Sequence, residues 1–169
     1  MTLREIVQIG HPALRDAARR LDPAELATPE VQGLIDDLVD TMRAANGAGL
    51  AATQVGVPVQ VCIAEVRPGN PRYPYKPVIP LTVLVNPVLE VLSPETFANY
   101  EGCLSVPALR GVVDRAVEER VQALDHLHGT LFIDRVADTR TLCTWDEFRL
   151  RHEAAFSDRA RALVARFGG

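Results

Sequence analysis

The chain is poor in the features that bring a protein to a nucleic acid or a membrane. Its net charge is -4, with no basic stripe and no polybasic anchor, which argues against a phosphate-backbone binder. It has no apolar run of membrane-spanning length. Its opening, Met1-Thr2-Leu3-Arg4-Glu5, turns polar at once, unlike a secretory signal. Cysteine is scarce: Cys62, Cys103 and Cys143 are an odd number at wide spacing. That pattern argues against a disulfide framework and for a reducing cytoplasm. Internal repeats and low-complexity tracts are absent as well. What is present is 169 residues, 47% hydrophobic and 24% charged, a composition that is globular rather than disordered. The length suits one domain, residues 1–169, with a core of ordinary size.

The periodicity predicts few long elements. Thr28 can cap a helix, Pro29 suits its first turn, and Val31, Leu34, Ile35, Leu38, Val39 and Met42 recur at helical spacing. Asn46-Gly47 ends it. A shorter helical piece is expected near Leu14 to Leu21, after the break at Gly10-His11-Pro12. Pro58 to Val66 reads as a strand, and Leu81 to Leu92 as a longer one interrupted at Asn86-Pro87. The proline-rich stretch between them reads as a surface loop. Gly111–Val113, Val117–Leu124 and the run TLFIDR read as short strands, and Trp145 to Phe167 as a second long helix. Short strands mixed with two long helices point to an α+β domain rather than to alternating βαβ units.

Two short stretches stand out chemically. In GAGLAATQ, Gly47 to Gln54, two glycines let the backbone approach a ligand closely, and Gln54 offers both a donor and an acceptor. The plainer reading is a helix C-cap followed by a buried turn. In EGCLS, Glu101 to Ser105, Cys103 follows a glycine in a turn. A lone cysteine is most often a small buried hydrophobe, whereas a thiolate ligand needs imidazole partners, and His126 and His128 lie downstream.

Taken together, the two stretches resemble the peptide deformylases, metallohydrolases that remove the formyl group from the N-terminal methionine of new bacterial chains. That family carries G-x-G-L-A-A-x-Q, E-G-C-L-S and a helix bearing Q-H-E-x-D-H, in that order. Gly47–Gln54 matches the first at each defined position, and Glu101–Ser105 matches the second. IGHPALR, LVNPVL and HLHGTLFIDR also look like family sequence. The resemblance implies the following roles. Cys103 and His126 are metal ligands. Gln54 and the backbone N–H of Leu104 stabilise the oxyanion formed when water attacks the formyl carbon. The backbone around Gly49 pairs with the substrate main chain. It further implies ferrous iron, replaceable by nickel, cobalt or zinc, and N-formylmethionyl nascent chains at the ribosome as partners, in the cytoplasm.

The third motif is incomplete. A helical H-E-x-x-H puts two imidazoles one turn apart beside a general base. Counting back from His126, the first histidine and the glutamate fall at Gln122 and Ala123. Ala123 cannot accept a proton, and the neutral carbonyl of Gln122 is a poor replacement for imidazole. Either the helix persists with two residues changed, or it has been cut out. Val117, Val121 and Ala123 alternate with Glu118, Arg120 and Gln122 as in a strand, which favours the deletion, with its junction near Asp125 and His126. The expected fold is therefore peptide deformylase-like α+β, with short antiparallel sheets around helices, truncated or rearranged between about Asp114 and Leu127. Folded domains hold only about 5–15 kcal/mol in reserve. A lost buried helix forfeits core side chains worth about 1.5–3 kcal/mol each. Either the remainder repacks, or it is marginally stable, or the chain is part of a larger product. The expected function is a deformylase-family metalloprotein without efficient turnover; the alternative is an inactive relative that binds peptides without metal.

His128, two positions from His126, reads as a surface residue, and His152 and Glu153 as solvent-face charges on the last helix. His11 and Cys62 read as structural residues, and Cys143 has no evident partner.

Overall fold

The computed structural model describes residues 2–71, 78–125 and 129–133. The clearest element is α1, Pro29–Ala44. Thr28 caps it by accepting the Val31 N–H at 3.4 Å, Pro29 fills the first turn, and Glu30 and Arg43 complement the helix dipole. The expected stripe of six apolar residues is buried, with Leu38 and Met42 fully enclosed. Asn46, with φ 52°, closes the helix, and the Gly47 N–H returns to Met42 O at 2.9 Å.

Seven strands follow: β1 Gly49–Ala51, β2 Val61–Val66, β3 Ile79–Val91, β4 Thr96–Cys103, β5 Val106–Ala116, β6 Glu119–Asp125 and β7 Gly129–Ile133. One sheet has the order β1-β2-β3-β6-β7, antiparallel throughout, and β4 and β5 form a separate hairpin. This is the expected α+β architecture of short antiparallel sheets, with a single α-helix among the described residues. Val61 and Ile63 of β2 and Val83 and Val85 of β3 pack with α1 into one core.

Asn86-Pro87 does not interrupt β3. It forms a bulge between the pairs Val85–Leu124 and Val88–Gln122, with Asn86 at φ 52°. The buried Asn86 amide holds Leu21 from both sides, accepting its N–H and donating to its C=O, each at 2.8 Å. That contact explains a correction. The segment from Leu14 to Leu21 is not helical beyond a 3-10 turn at Pro12–Leu14. Its backbone is committed elsewhere: the Arg19 N–H donates to Pro58 O, the Gln60 N–H donates to Arg19 O, and Asn86 takes Leu21. A helix would have withdrawn these groups.

Residues 117–124 lie largely in β6, so Gln122 and Ala123 are strand residues, with Ala123 buried. TLFI contributes to β7, which pairs with β6 in the register Asp125–Gly129 to Val121–Ile133. The expected helix at 145–167 lies outside the described residues.

Candidate functional site

The site forms where the end of β1 meets the end of β4. After Ala51 the chain turns into a 3-10 segment, Ala52–Val55, closed by Gly56 at φ 80°. This turn presents Gln54. Its Oε1 accepts the Ala51 N–H at 2.9 Å, which fixes the amide plane and turns Nε2 toward the EGCLS stretch. Nε2 then lies 3.3 Å from Ser105 Oγ and 3.5 Å from Cys103 Sγ. Two motifs 49 residues apart are thus in side-chain contact.

Cys103 is exposed at the last position of β4, and the turn Leu104-Ser105 leads into β5. Two positions earlier, Glu101 takes a bidentate bond from Arg115 across the hairpin, at 2.7 and 2.6 Å. The Glu101 carboxylate raises the Arg115 pKa further above its usual value. Gly47 is a spacer: a Cβ there would come within 3.0 Å of Leu104 Cδ1 and 3.2 Å of Met42 Cγ. Gly49 has a similar reason, because a Cβ would sit 3.2 Å from the Ile63 carbonyl of the neighbouring strand. β1 lies at the sheet edge, paired with β2 on one side and with no described strand on the other.

Of the site residues read from the sequence, Gln54, Cys103, Leu104 and Gly49 therefore lie in or beside one region, and His126 lies outside the described residues. The same is true of His128, Cys143, His152 and Glu153. His11 serves the chain locally, its Nδ1 accepting the Ala13 N–H at 3.2 Å. Cys62 is a strand residue whose thiol pKa is raised by burial. Ser105 was not singled out beforehand, although it is 2% exposed and bonded to Gln54. Its position inside EGCLS was the available signal.

Among the described residues no group of three His, Cys, Asp or Glu side chains could hold a metal. Cys103 meets the Gln54 amide and is one soft donor where a catalytic site keeps three protein ligands. The described residues do not by themselves fit a resident metal.

The polypeptide deformylase family model matches residues 3–125. The chain belongs to the peptide deformylase family. It is 39% identical to peptide deformylase 1 of Nitrosomonas europaea over 161 positions, covering 82% of this chain and 90% of the relative. It is 46% identical to peptide deformylase 2 of Ralstonia nicotianae over 136 positions, covering 80% and 74%. A class I type b deformylase of Acinetobacter baumannii, crystallised with Met-Ala-Ser, superposes with a TM-score of 0.75 at 31% identity, covering 90% of this chain and 91% of that one. The family is metal-dependent, and its members remove the N-formyl group from nascent peptides.

The extents of these matches carry further information. The family match ends at residue 125, the last residue of β6. In the Nitrosomonas alignment, 82% of 169 residues is about 139, so about 22 of the 161 positions face gaps in this chain. No described helix is long and apolar enough to cross a membrane.

Proposed function

We propose that this protein binds N-formylmethionyl peptides along the free edge of β1, with the formyl oxygen between the Gln54 amide and the Leu104 N–H, and that efficient hydrolysis is lost. The observation that carries this reading is the fixed Gln54 amide, beside Cys103 and next to a strand edge unpaired by any described strand. An open edge offers main-chain hydrogen bonds to an extended peptide. Two fixed donors suit a single carbonyl oxygen. The Met-Ala-Ser complex of the Acinetobacter relative supports a methionyl peptide as the ligand class. In this reading the chain acts in the cytoplasm, on peptides leaving the ribosome, without direct nucleic-acid or membrane contact.

Cys103 and His126 remain the metal ligands of this proposal, and ferrous iron its metal, with nickel, cobalt or zinc as substitutes. Such an ion supplies a water of lowered pKa. Two protein ligands fall short of the three that hold a catalytic metal. Gln122 and Ala123 lie in β6, so that strand provides neither the first histidine nor the glutamate base. That observation favours a second reading, a metal-free peptide-binding relative.

The test is turnover of a formyl-Met peptide by protein loaded anaerobically with iron or nickel, with peptide affinity measured before and after a chelator. Background turnover with micromolar binding is expected, and binding insensitive to the chelator selects the metal-free reading. Metal-dependent turnover abolished by Cys103→Ala or His126→Ala would overturn the loss of hydrolysis. No binding at all would overturn the peptide assignment.

A further inference from the structure

The N-terminal segment touches both halves of the site through backbone groups alone. Its start is moored on α1: the Thr2 N–H donates to Asp37 Oδ1 at 2.9 Å, the Arg4 N–H to Thr41 Oγ1 at 3.0 Å, and Arg4 Nε to Asp37 Oδ2 at 3.0 Å. Ile6 packs against the core. Next, the Val7 N–H donates to the Gln54 carbonyl and the Ile9 N–H to the Ser105 carbonyl, both at 2.9 Å.

Val7 and Ile9 are two residues apart, with Ile9 in the turn that the His11 N–H closes on Gln8 O at 3.0 Å. Two residues of backbone therefore fix the separation of carbonyls that lie 51 residues apart in sequence. One carbonyl belongs to the residue bearing the site amide. The other follows Leu104 directly. Neither carrier is stiff alone: Gln54 sits in a four-residue 3-10 segment, and Leu104 in a two-residue turn. The Ile9 side chain is 72% exposed, so what Ile9 contributes is its amide and not its packing.

We infer that Val7–Ile9 is a positioning strap that sets the distance between the Gln54 amide and the Leu104 N–H, so that both converge on one oxygen. The inference rests on the proposed role of those two groups as holders of the formyl oxygen. Two donors serve a single oxygen only when each lies within about 2.7–3.1 Å of it. With a slack strap the carriers are still linked through the Gln54 contacts to Ser105 and Cys103, but the separation of their backbones loosens. General weakening of the fold would lower affinity for any peptide. Drift of these donors lowers the preference for a formylated one in particular.

The experiment compares Ile9→Pro, which removes the amide hydrogen, with Ile9→Ala, which keeps it. One glycine inserted after Gln8 serves as a second variant, lengthening the strap while retaining both donors. Two readouts are taken on the full chain with chelator present. One is the ratio of affinities for a formyl-Met peptide and the same peptide with a free amine. The other is the Gln54 side-chain amide resonance in 15N-labelled protein. Ile9→Pro and the insertion are expected to lower the ratio at least about five-fold, the loss of roughly one hydrogen bond, and to shift the resonance. Ile9→Ala should preserve both. Folded variants with an unmoved Gln54 resonance and an unchanged ratio would overturn the strap. A parent protein with no formyl preference would overturn the binding proposal instead, and the resonance would still decide the strap.

Discussion

The strands around α1 and those beyond Val85 differ in what covers them. Around α1, β1, β2 and the first part of β3, large side chains are enclosed: Leu38, Met42, Val83 and Val85 are at most 1% exposed. Beyond Val85, the buried hydrophobic residues among those described are two alanines, Ala116 and Ala123. Val88, Leu89 and Val91 on β3, and Leu109 and Val112 on β5, are instead between 49% and 68% exposed. Apolar residues are present on both sides, so composition does not separate the halves. The difference is that α1 lies against β1 and β2, while no other α-helix is present among the described residues. A sheet can form by backbone pairing alone, but its side chains are buried only when another layer lies on them.

The largest expected effect comes from supplying such a layer. Inserting after Asp125, where the family match ends, a helix bearing H-E-x-x-H should raise turnover of a formyl-Met peptide by at least about 100-fold in metal-loaded protein, the scale of a supplied acid–base group. It should also raise the urea midpoint. Unchanged turnover in a folded insertion variant would break the comparison.

Single truncations sharpen it. Leu38→Ala should cost about 3 kcal/mol in urea unfolding, as expected for a fully buried leucine. Val112→Ala, at 68% exposure, should cost less than about 0.5 kcal/mol. Equal losses would mean that the second half is as tightly packed as the first.

Asn86 joins the two halves. Asn86→Ala removes two buried hydrogen bonds to Leu21 and places an alanine at positive φ. A loss of about 2–3 kcal/mol is expected, against a few tenths if the bulge relaxes freely.

A smaller effect concerns pH on the packed side. Arg43 donates to both carboxylate oxygens of Glu65, at 2.8 and 2.7 Å, and these bonds hold the Glu65 pKa below its usual value. A carboxylate with a depressed folded pKa adds stability above its unfolded pKa and loses it as pH falls through the folded one. Glu65→Gln should therefore cost about 1–2 kcal/mol at neutral pH. The gap to the parent should close under acid; a gap that persists unchanged would show that the carboxylate's charge contributes nothing.

The sequence was most readable where signals were local. Thr28, Pro29 and the apolar stripe specify α1, and Asn46-Gly47 specifies its end, because caps and period act within a few residues. Gln54, Cys103 and Leu104 were marked in the sequence by two motifs, and the fold brings those motifs into contact. The loss of helical character at Gln122 and Ala123 was visible as alternation and stands as β6. The non-helical course of residues 15–21 was hidden, since it follows from backbone bonds to Pro58, Gln60 and Asn86, none of them close in sequence. The contacts of Val7 and Ile9 were hidden for a related reason: an amide hydrogen is common to every residue but proline and leaves no mark in a sequence.

β3 is thirteen residues long, but its neighbours grip different parts of it. β2 pairs with it from Ile79 to Val85, and β6 from Val85 to Val91. Val85 is the one residue in both registers, and the bulge follows it at once. The sheet is in effect two patches overlapping at a single rung, and β6 reaches the core around α1 at that rung through Leu124, the partner of Val85. The register of the whole sheet therefore passes through Val85, and a shift there would move β6 and β7 together relative to the helix-covered strands.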